Sequence, residues 1–485
     1  MLRRDGEAGT VTGQQETPAE PGEHSREAGT PSDREAVADG AAVADGADSG
    51  DGWDSYDRTL ADDGTLAYDG TLANDGTLAN DGAVGYDGAG SRGDLTTSPS
   101  QAVAGDRPVQ RENAASGHAR GGWLSRLSAD DRAALGIWAA AHLALLVLAW
   151  AAAWVFRTTN AHAPLTGAFE HWDAFLLRNI AEYGYFGHGS IKNNAAFFPG
   201  YPLVLAAAHL IVRNWVLAEL LVPAVAGCFA VVSLARLAGG RRAVLYLLTA
   251  PAAIFLMVGY AEALFLAFAI PAWQAASRGQ WKRAALLAGL AGLTRPDGLF
   301  LIPALALMAL LQPGRAALTR VADAVIACLG LIGPLAYEFY LKFATGSWTT
   351  WSTALRVGWD LRLTWPAQAL KTTWWAAFRH PFSAGTAFEF QLELGTMAAM
   401  VVATLAFAAC RRWPETMYCG LAVIAFGTST WFETVPRTLL VLFPIWIALT
   451  RLDRRLPWVK YVYLGLSAPI AVVLGLLFLA GQWAG

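Results

Sequence analysis

Charged residues are scarce in this chain: Lys, Arg, Asp and Glu make up 15% of its 485 residues against 54% hydrophobic ones, and the formal net charge is only −3. With no basic excess, nucleic acid is not an expected partner. Cysteine is rare too. Cys228, Cys328, Cys410 and Cys419 all lie in or beside apolar segments and have neither paired nor metal-ligand spacing. They read as small packing residues, which excludes a disulfide framework or a cysteine metal site. The start of the chain lacks the apolar run of a signal peptide, although Arg3 and Arg4 are present. The apolar stretch 135–156 is therefore expected to serve as an uncleaved membrane signal.

Large aliphatic runs are missing from residues 1–121, which are rich in Gly, Ala, Asp, Glu, Ser and Thr. Such a segment buries too little apolar surface to offset its ordering entropy, so a disordered, acidic, low-complexity tail is expected there. Within it Gly64, Gly70, Gly76, Gly82 and Gly88 recur every six residues. That spacing differs from the nine-residue repeat of calcium β-rolls and reads as a low-complexity expansion.

Residues 122–485 have the opposite character and lift the mean hydropathy of the whole chain to +0.34. Apolar segments fall at 135–156, 216–235, 243–257, 260–277, 283–294, 298–312, 321–343, 394–410, 415–431, 438–450 and 459–481. A helix needs roughly 20 apolar residues to cross a bilayer core of about 30 Å. The pattern predicts an all-α polytopic membrane protein with about 11 transmembrane helices, several of them short.

The stretch 196–212 decides the orientation. If it lies along the membrane surface, the basic turns at Arg132, Arg236, Arg241, Arg278, Arg315, Arg411 and Arg451 all fall on one side. The positive-inside rule favours that arrangement, with the N-terminus cytoplasmic. Pro199 and Pro202 also suit an irregular entry to a surface helix. Two long loops, 157–215 and 344–393, are then extracytoplasmic, and the second carries Trp348, Trp351, Trp359, Trp365, Trp374 and Trp375.

Four polar clusters fall on that outer side. The first is Glu170-His171-Trp172-Asp173-Ala174, leading into a surface helix over 174–183 with Leu176, Leu177 and Ile180 on one face. Asp173 stands at its N-terminal end and reads either as an N-cap or as a functional carboxylate. The second is Ala196-Phe197-Phe198-Pro199-Gly200-Tyr201-Pro202. The third pairs Gly259-Tyr260-Ala261-Glu262 with Thr294-Arg295-Pro296-Asp297-Gly298, and the fourth is Phe432-Glu433-Thr434-Val435-Pro436-Arg437. An ionisable residue at the end of a membrane helix is a functional candidate, and snorkelling to the headgroups is the alternative for Arg295.

In this order and spacing the clusters resemble the GPI mannosyltransferase II (PIG-V) family and its bacterial relatives. The likeness runs over roughly residues 170–445, from Trp172-Asp173-Ala174 to Pro436-Arg437 and Val441-Leu442-Phe443-Pro444. The chain departs from the family pattern at Leu177, Ala261 and Thr438.

The resemblance implies a GT-C type membrane glycosyltransferase. Such an enzyme passes a sugar, usually mannose, from a polyprenyl-phosphate donor to a glycan, lipid or protein acceptor on the extracytoplasmic side of the cell membrane, with inversion. It implies Asp173 as the catalytic carboxylate. Arg295 and Arg437 are then the cations for the donor phosphate, with Glu262 counted among the substrate-binding residues. Trp172 and Tyr201 are candidates to stack on a sugar ring. Glu170, His171 and Asp173 leave a divalent cation open, although side chains in so short a run need not converge. A flippase for lipid-linked sugars and a non-catalytic scaffold are the competing readings; the chain has no visible helix duplication of the kind common in transporters.

Overall fold

The computed structural model describes residues 127–155, 165–191 and 193–482. The expected tail, 1–121, and its glycine repeat lie outside them. Among the described residues all regular elements are helices. In chain order the α-helices are α1 (Ala129–Val155), α2 (Asp173–Tyr183), α3 (Gly200–Val212), α4 (Trp215–Ala238), α5 (Arg242–Leu248), α6 (Glu262–Ser277), α7 (Trp281–Thr294), α8 (Gly298–Leu310) and α9 (Ala317–Cys328). There follow α10 (Ile332–Thr345), α11 (Thr350–Trp359), α12 (Pro366–Phe378), α13 (Ala384–Ala409), α14 (Trp413–Gly427), α15 (Val435–Val441), α16 (Phe443–Arg455) and α17 (Trp458–Leu479).

Five helical stretches are long and apolar enough to cross a membrane: Ala129–Trp154, Trp215–Ala238, Ala317–Thr345, Ala384–Ala409 and Trp458–Leu479. The third joins α9 to α10, and the pair α15 and α16, bent by 73°, would form a sixth. The protein is therefore an all-α, multi-pass membrane protein. Other segments expected as spans are shorter helices, such as α6 with 16 residues, α7 with 14 and α8 with 13. Large apolar side chains face outward, among them Phe343 at 84% and Val402 at 66% exposure, as a lipid solvent permits.

Three expected segments differ most from the observed helices. The segment 243–257 is not one helix, because α5 stops at Leu248 and a 3-10 turn, Ala253–Leu256, follows. Pro251 lies in the break; it has no N–H and biases the residue before it away from the helical region. The segment 438–450 breaks at Leu442, where Pro444 opens α16. The segment 394–410 begins too late: α13 runs back to Ala384, where the Ser383 side chain caps it by accepting from the Thr386 N–H at 3.2 Å. Glu389 and Glu393 therefore lie inside a helix long and apolar enough to cross a membrane rather than in a loop.

The surface helix expected from the first loop forms as α2, with Leu177 and Ile180 buried beneath it. α6 packs between α4 and α7, and α8 packs against α9 and α14. Two glycines allow the helix ends near α2 to crowd together. A Cβ on Gly200 would lie 2.7 Å from the Leu293 carbonyl oxygen, and one on Gly298 would lie 2.3 Å from the Cα of Gly292. The starts of α3 and α8 are thereby held against the end of α7.

The basic turns gather at the other end of the bundle. Arg236 of α4 pairs with Asp131 of α1 at 2.9 Å, Arg242 of α5 pairs with Asp453 of α16 at 3.1 Å, and Arg454 donates to the Gly239 carbonyl at 3.2 Å. The sequence grouping of these arginines is thus a spatial grouping.

Gly298→Ala tests the crowding. The clashing atoms are backbone, so relief requires α7 and α8 to part. The substitution is expected to cost about 1–3 kcal/mol, read as a lowered thermal midpoint in detergent. An unchanged midpoint would mean that the two helix ends have slack.

Candidate active site

The four polar clusters of the sequence meet at one end of the bundle. Asp173 is the first residue of α2, and Trp172 before it sits at φ 56° and ψ −122°. A left-handed φ on a tryptophan costs energy that surrounding contacts must supply. Thr434, just before α15, repeats the device at φ 57°. One strained residue thus directly precedes Asp173, and the other lies one turn before Arg437.

The N-cap position of α2 falls on Trp172, so the N-cap reading does not hold for Asp173. Its Oδ2 instead accepts from Arg437 Nη1 at 2.6 Å. Arg437 Nε donates to Glu262 Oε1 at 2.9 Å, and the same oxygen accepts from Arg295 Nη1 at 2.7 Å. Arg295 Nε donates in turn to Asp297 Oδ2 at 2.9 Å. The result is an alternating chain, Asp173–Arg437–Glu262–Arg295–Asp297, drawn from four separate stretches of sequence. Glu262 and Asp297 are fully buried, and Arg437 is 6% and Asp173 7% exposed.

Three carboxylates against two guanidinium groups leave a formal excess of one negative charge. Each carboxylate stands at the start of a helix: Asp173 and Glu262 in first turns, and Asp297 at the N-cap of α8. The helix dipole favours anions there. Aromatic rings enclose Arg437, whose guanidinium carbon lies 4.9 Å from the Phe255 ring centroid and 4.7 Å from that of Tyr260. The Tyr260 hydroxyl donates to the His171 carbonyl at 3.3 Å, which ties the first loop to the start of α6.

The structure therefore brings Asp173, Glu262, Arg295 and Arg437 together, with Trp172 half-buried beside them. It does not bring Tyr201 to an open surface. Tyr201 is fully buried under α2 with Leu177 and Leu264, and its hydroxyl lies 3.5 Å from the Glu219 carbonyl. Glu170, His171 and Asp173 turn to three different partners: Arg178, the Phe478 ring and Arg437. Among the described residues no group of three or more His, Cys, Asp or Glu is placed to hold a metal ion. These residues do not fit a divalent cation.

Sequence reasoning passed over several neighbours. Glu393 of α13 is buried, and its Oε2 accepts from the Val435 N–H at 3.0 Å, fastening the start of α15 and hence the backbone that carries Arg437. The Oε2 atoms of Glu389 and Glu433 are buried without a hydrogen-bond partner among the described residues. Glu389 and Glu393 stand four apart in a largely apolar run, which is the signal that marks intramembrane carboxylates as functional candidates. The expected helix start at 394 hid it. Asp297 and Tyr260 stood within quoted motifs but had no assigned part.

The fold and this centre define a class: a multi-pass helical membrane protein with a buried ion-pair chain at one end of its bundle. Among known proteins the chain is similar to GPI alpha-1,6-mannosyltransferase 2. It is 31% identical to the human protein over 153 residues, which is 28% of this chain and 30% of that one. The mouse protein is 29% identical over 214 residues, 37% of this chain and 42% of its own length. The rat protein is 32% identical over 153 residues, with shares of 28% and 30%. The chain thus spans less than half the length of these relatives. No protein-family model and no solved structure matches. The likeness is to the PIG-V-like glycosyltransferase family, as the motifs had indicated.

Glu433 supplies a pH test. Burial, with Glu393 and Asp173 nearby, pushes its carboxyl up from 4.5 to about 8. The folded state then holds a proton that the unfolded chain releases at lower pH. Its contribution to stability is full below about 4.5 and is lost as pH rises through about 8. The thermal midpoint in detergent is expected to fall across that window and to fall less in Glu433→Gln. A slope identical in the two proteins would place the titration elsewhere.

Proposed function

We propose that this chain is a membrane mannosyltransferase of the GT-C type that uses a polyprenyl-phosphate sugar and inverts the anomeric carbon. The observation that carries the reading is the convergence of Asp173, Glu262, Arg295 and Arg437 from distant stretches of sequence, in motifs whose order resembles that of the PIG-V family. In this reading the bundle crosses the cell membrane about 11 times. The N-terminus is cytoplasmic and the Asp173 centre extracytoplasmic. The gathering of the arginine turns at the end away from Asp173 supports that orientation.

The chemistry follows from the residue types. An acceptor hydroxyl attacks the anomeric carbon as the bond from that carbon to the phosphate oxygen breaks, and the sugar inverts. The hydroxyl proton passes to Asp173, a step that contributes about 10²–10⁴-fold when a base is in reach. A carboxylate has room for this while held by one arginine nitrogen, because its two oxygens offer about four acceptor sites. The departing lipid phosphate is already a good leaving group and needs positive charge rather than a proton. Arg437, at the Asp173 end of the ion-pair chain, is the guanidinium that meets it. Arg295 is held between Glu262 and Asp297, both fully buried, so it positions Glu262.

Membranes carrying the protein and radiolabelled polyprenyl-phosphate mannose are the decisive assay. Label is expected in a lipid or protein acceptor, and Asp173→Asn is expected to lower the rate by at least about 10²-fold with expression unchanged. Arg437→Lys keeps the charge without the fork and is expected to raise the KM for donor more than for acceptor. Donor crossing the bilayer without transfer would make the protein a transporter. Full transfer by Asp173→Asn would remove that residue from the mechanism.

A further inference from the structure

The Asp173–Arg437 centre uses one end of the bundle, and the other end has a cavity of its own. α6 and α8 link the two. Each begins at the ion-pair chain, with Glu262 and with Asp297 at its N-cap, and ends with Ser277 or Met308 lining a cavity of about 340 Å³. At 1.5 Å per residue the length of α6 separates them by about 20–25 Å.

This cavity is amphipathic. Its wall is apolar and buried: Trp273 at 6%, Phe443 at 0% and Ile447 at 6% exposure. Its rim carries Arg412, Glu415 and Arg451. Glu415 is engaged by Arg412. Arg451 makes no ion pair or side-chain hydrogen bond among the described residues; Arg412 and Arg454 lie close enough to repel it, and Glu415 close enough to attract it. Two guanidinium groups against one carboxylate leave the rim one positive charge in excess. A second cavity of about 370 Å³, on the Thr450–Arg454 flank of the same helix α16, adds Arg241 and Arg242 to this end.

We propose that the cavity between α6 and α16 binds an anionic phospholipid, with the phosphate on Arg451 and Arg412 and an acyl chain along Trp273, Phe443 and Ile447. Charge complementarity selects the head, since a guanidinium offers fork geometry to phosphate oxygens. The apolar depth selects a lipid over a free anion. Basic pockets between membrane helices are suited to anionic headgroups. The site is independent of the transfer chemistry, and it stands whether or not that chemistry is correct.

The test is lipid retention by the full chain, counted by native mass spectrometry after purification in mixed phosphatidylcholine and phosphatidylglycerol. One phosphatidylglycerol is expected to be held in preference to phosphatidylcholine. Arg451→Gln removes a charge-assisted hydrogen bond and is expected to weaken retention about tenfold, while Arg451→Lys retains part of it. Ser277→Phe fills the cavity mouth from an exposed position without changing charge, and is expected to weaken retention as well. The proposal is overturned if retention ignores headgroup charge or if Arg451→Gln and Ser277→Phe both bind as the parent does. Displacement of the lipid by a millimolar excess of inorganic phosphate, with Ser277→Phe without effect, would show a bare anion site and overturn it too.

Discussion

The guanidinium of Arg437 is the contact on which the rest of this structure turns. It reaches Asp173 with one nitrogen and Glu262 with another, and so joins the first loop to the membrane core. Buried charges are costly unless paired, and removing one partner from such a pair costs about 3–5 kcal/mol. Here Asp173 depends on that one cation, while Glu262 shares it with Arg295. The ring faces of Phe255 and Tyr260 close around it and limit how far it can move. Asp173 is therefore held in place by the same group that the proposed chemistry uses to meet phosphate.

Helix ends, rather than helix faces, build the centre. α2, α6 and α8 all begin there, and each brings a carboxylate at or beside its first residue. Helix N-termini point unpaired N–H groups and a partial positive charge toward the site. The strained residues Trp172 and Thr434 aim two of the chain turns inward, and Glu393 fastens the second of them from α13. Such irregular backbone is tolerated in a membrane protein only where protein or water surrounds it.

The molecule is chemically polar along its axis. The ion-pair chain at the Asp173 end holds three carboxylates against two arginines, and arginines gather at the other end. The arginine end is itself stitched by ion pairs, Arg236 to Asp131 and Arg242 to Asp453, that bring together helices far apart in sequence. Neither end shares a charged residue with the other; the apolar lengths of α6 and α8 connect them.

Much of this could be read without coordinates. Long apolar runs demand helices because lipid offers backbone groups no hydrogen bonds, so residues 135–155, 216–235 and 459–479 determined their own structure locally. The motif residues Asp173, Glu262, Arg295 and Arg437 were identifiable by type and position. Local pattern was weaker where a proline or a cap sets the boundary: Pro251 and Pro444 broke helices that hydropathy ran through, and Ser383 started one early enough to take in Glu389 and Glu393. Which charges meet was decided only by tertiary structure. An ion pair between positions 173 and 437 is made by the packing of distant helices and leaves no periodic trace in either segment. The same holds for Tyr201, whose ring, exposed or buried on sequence alone, was placed in the core by the helix that folds over it.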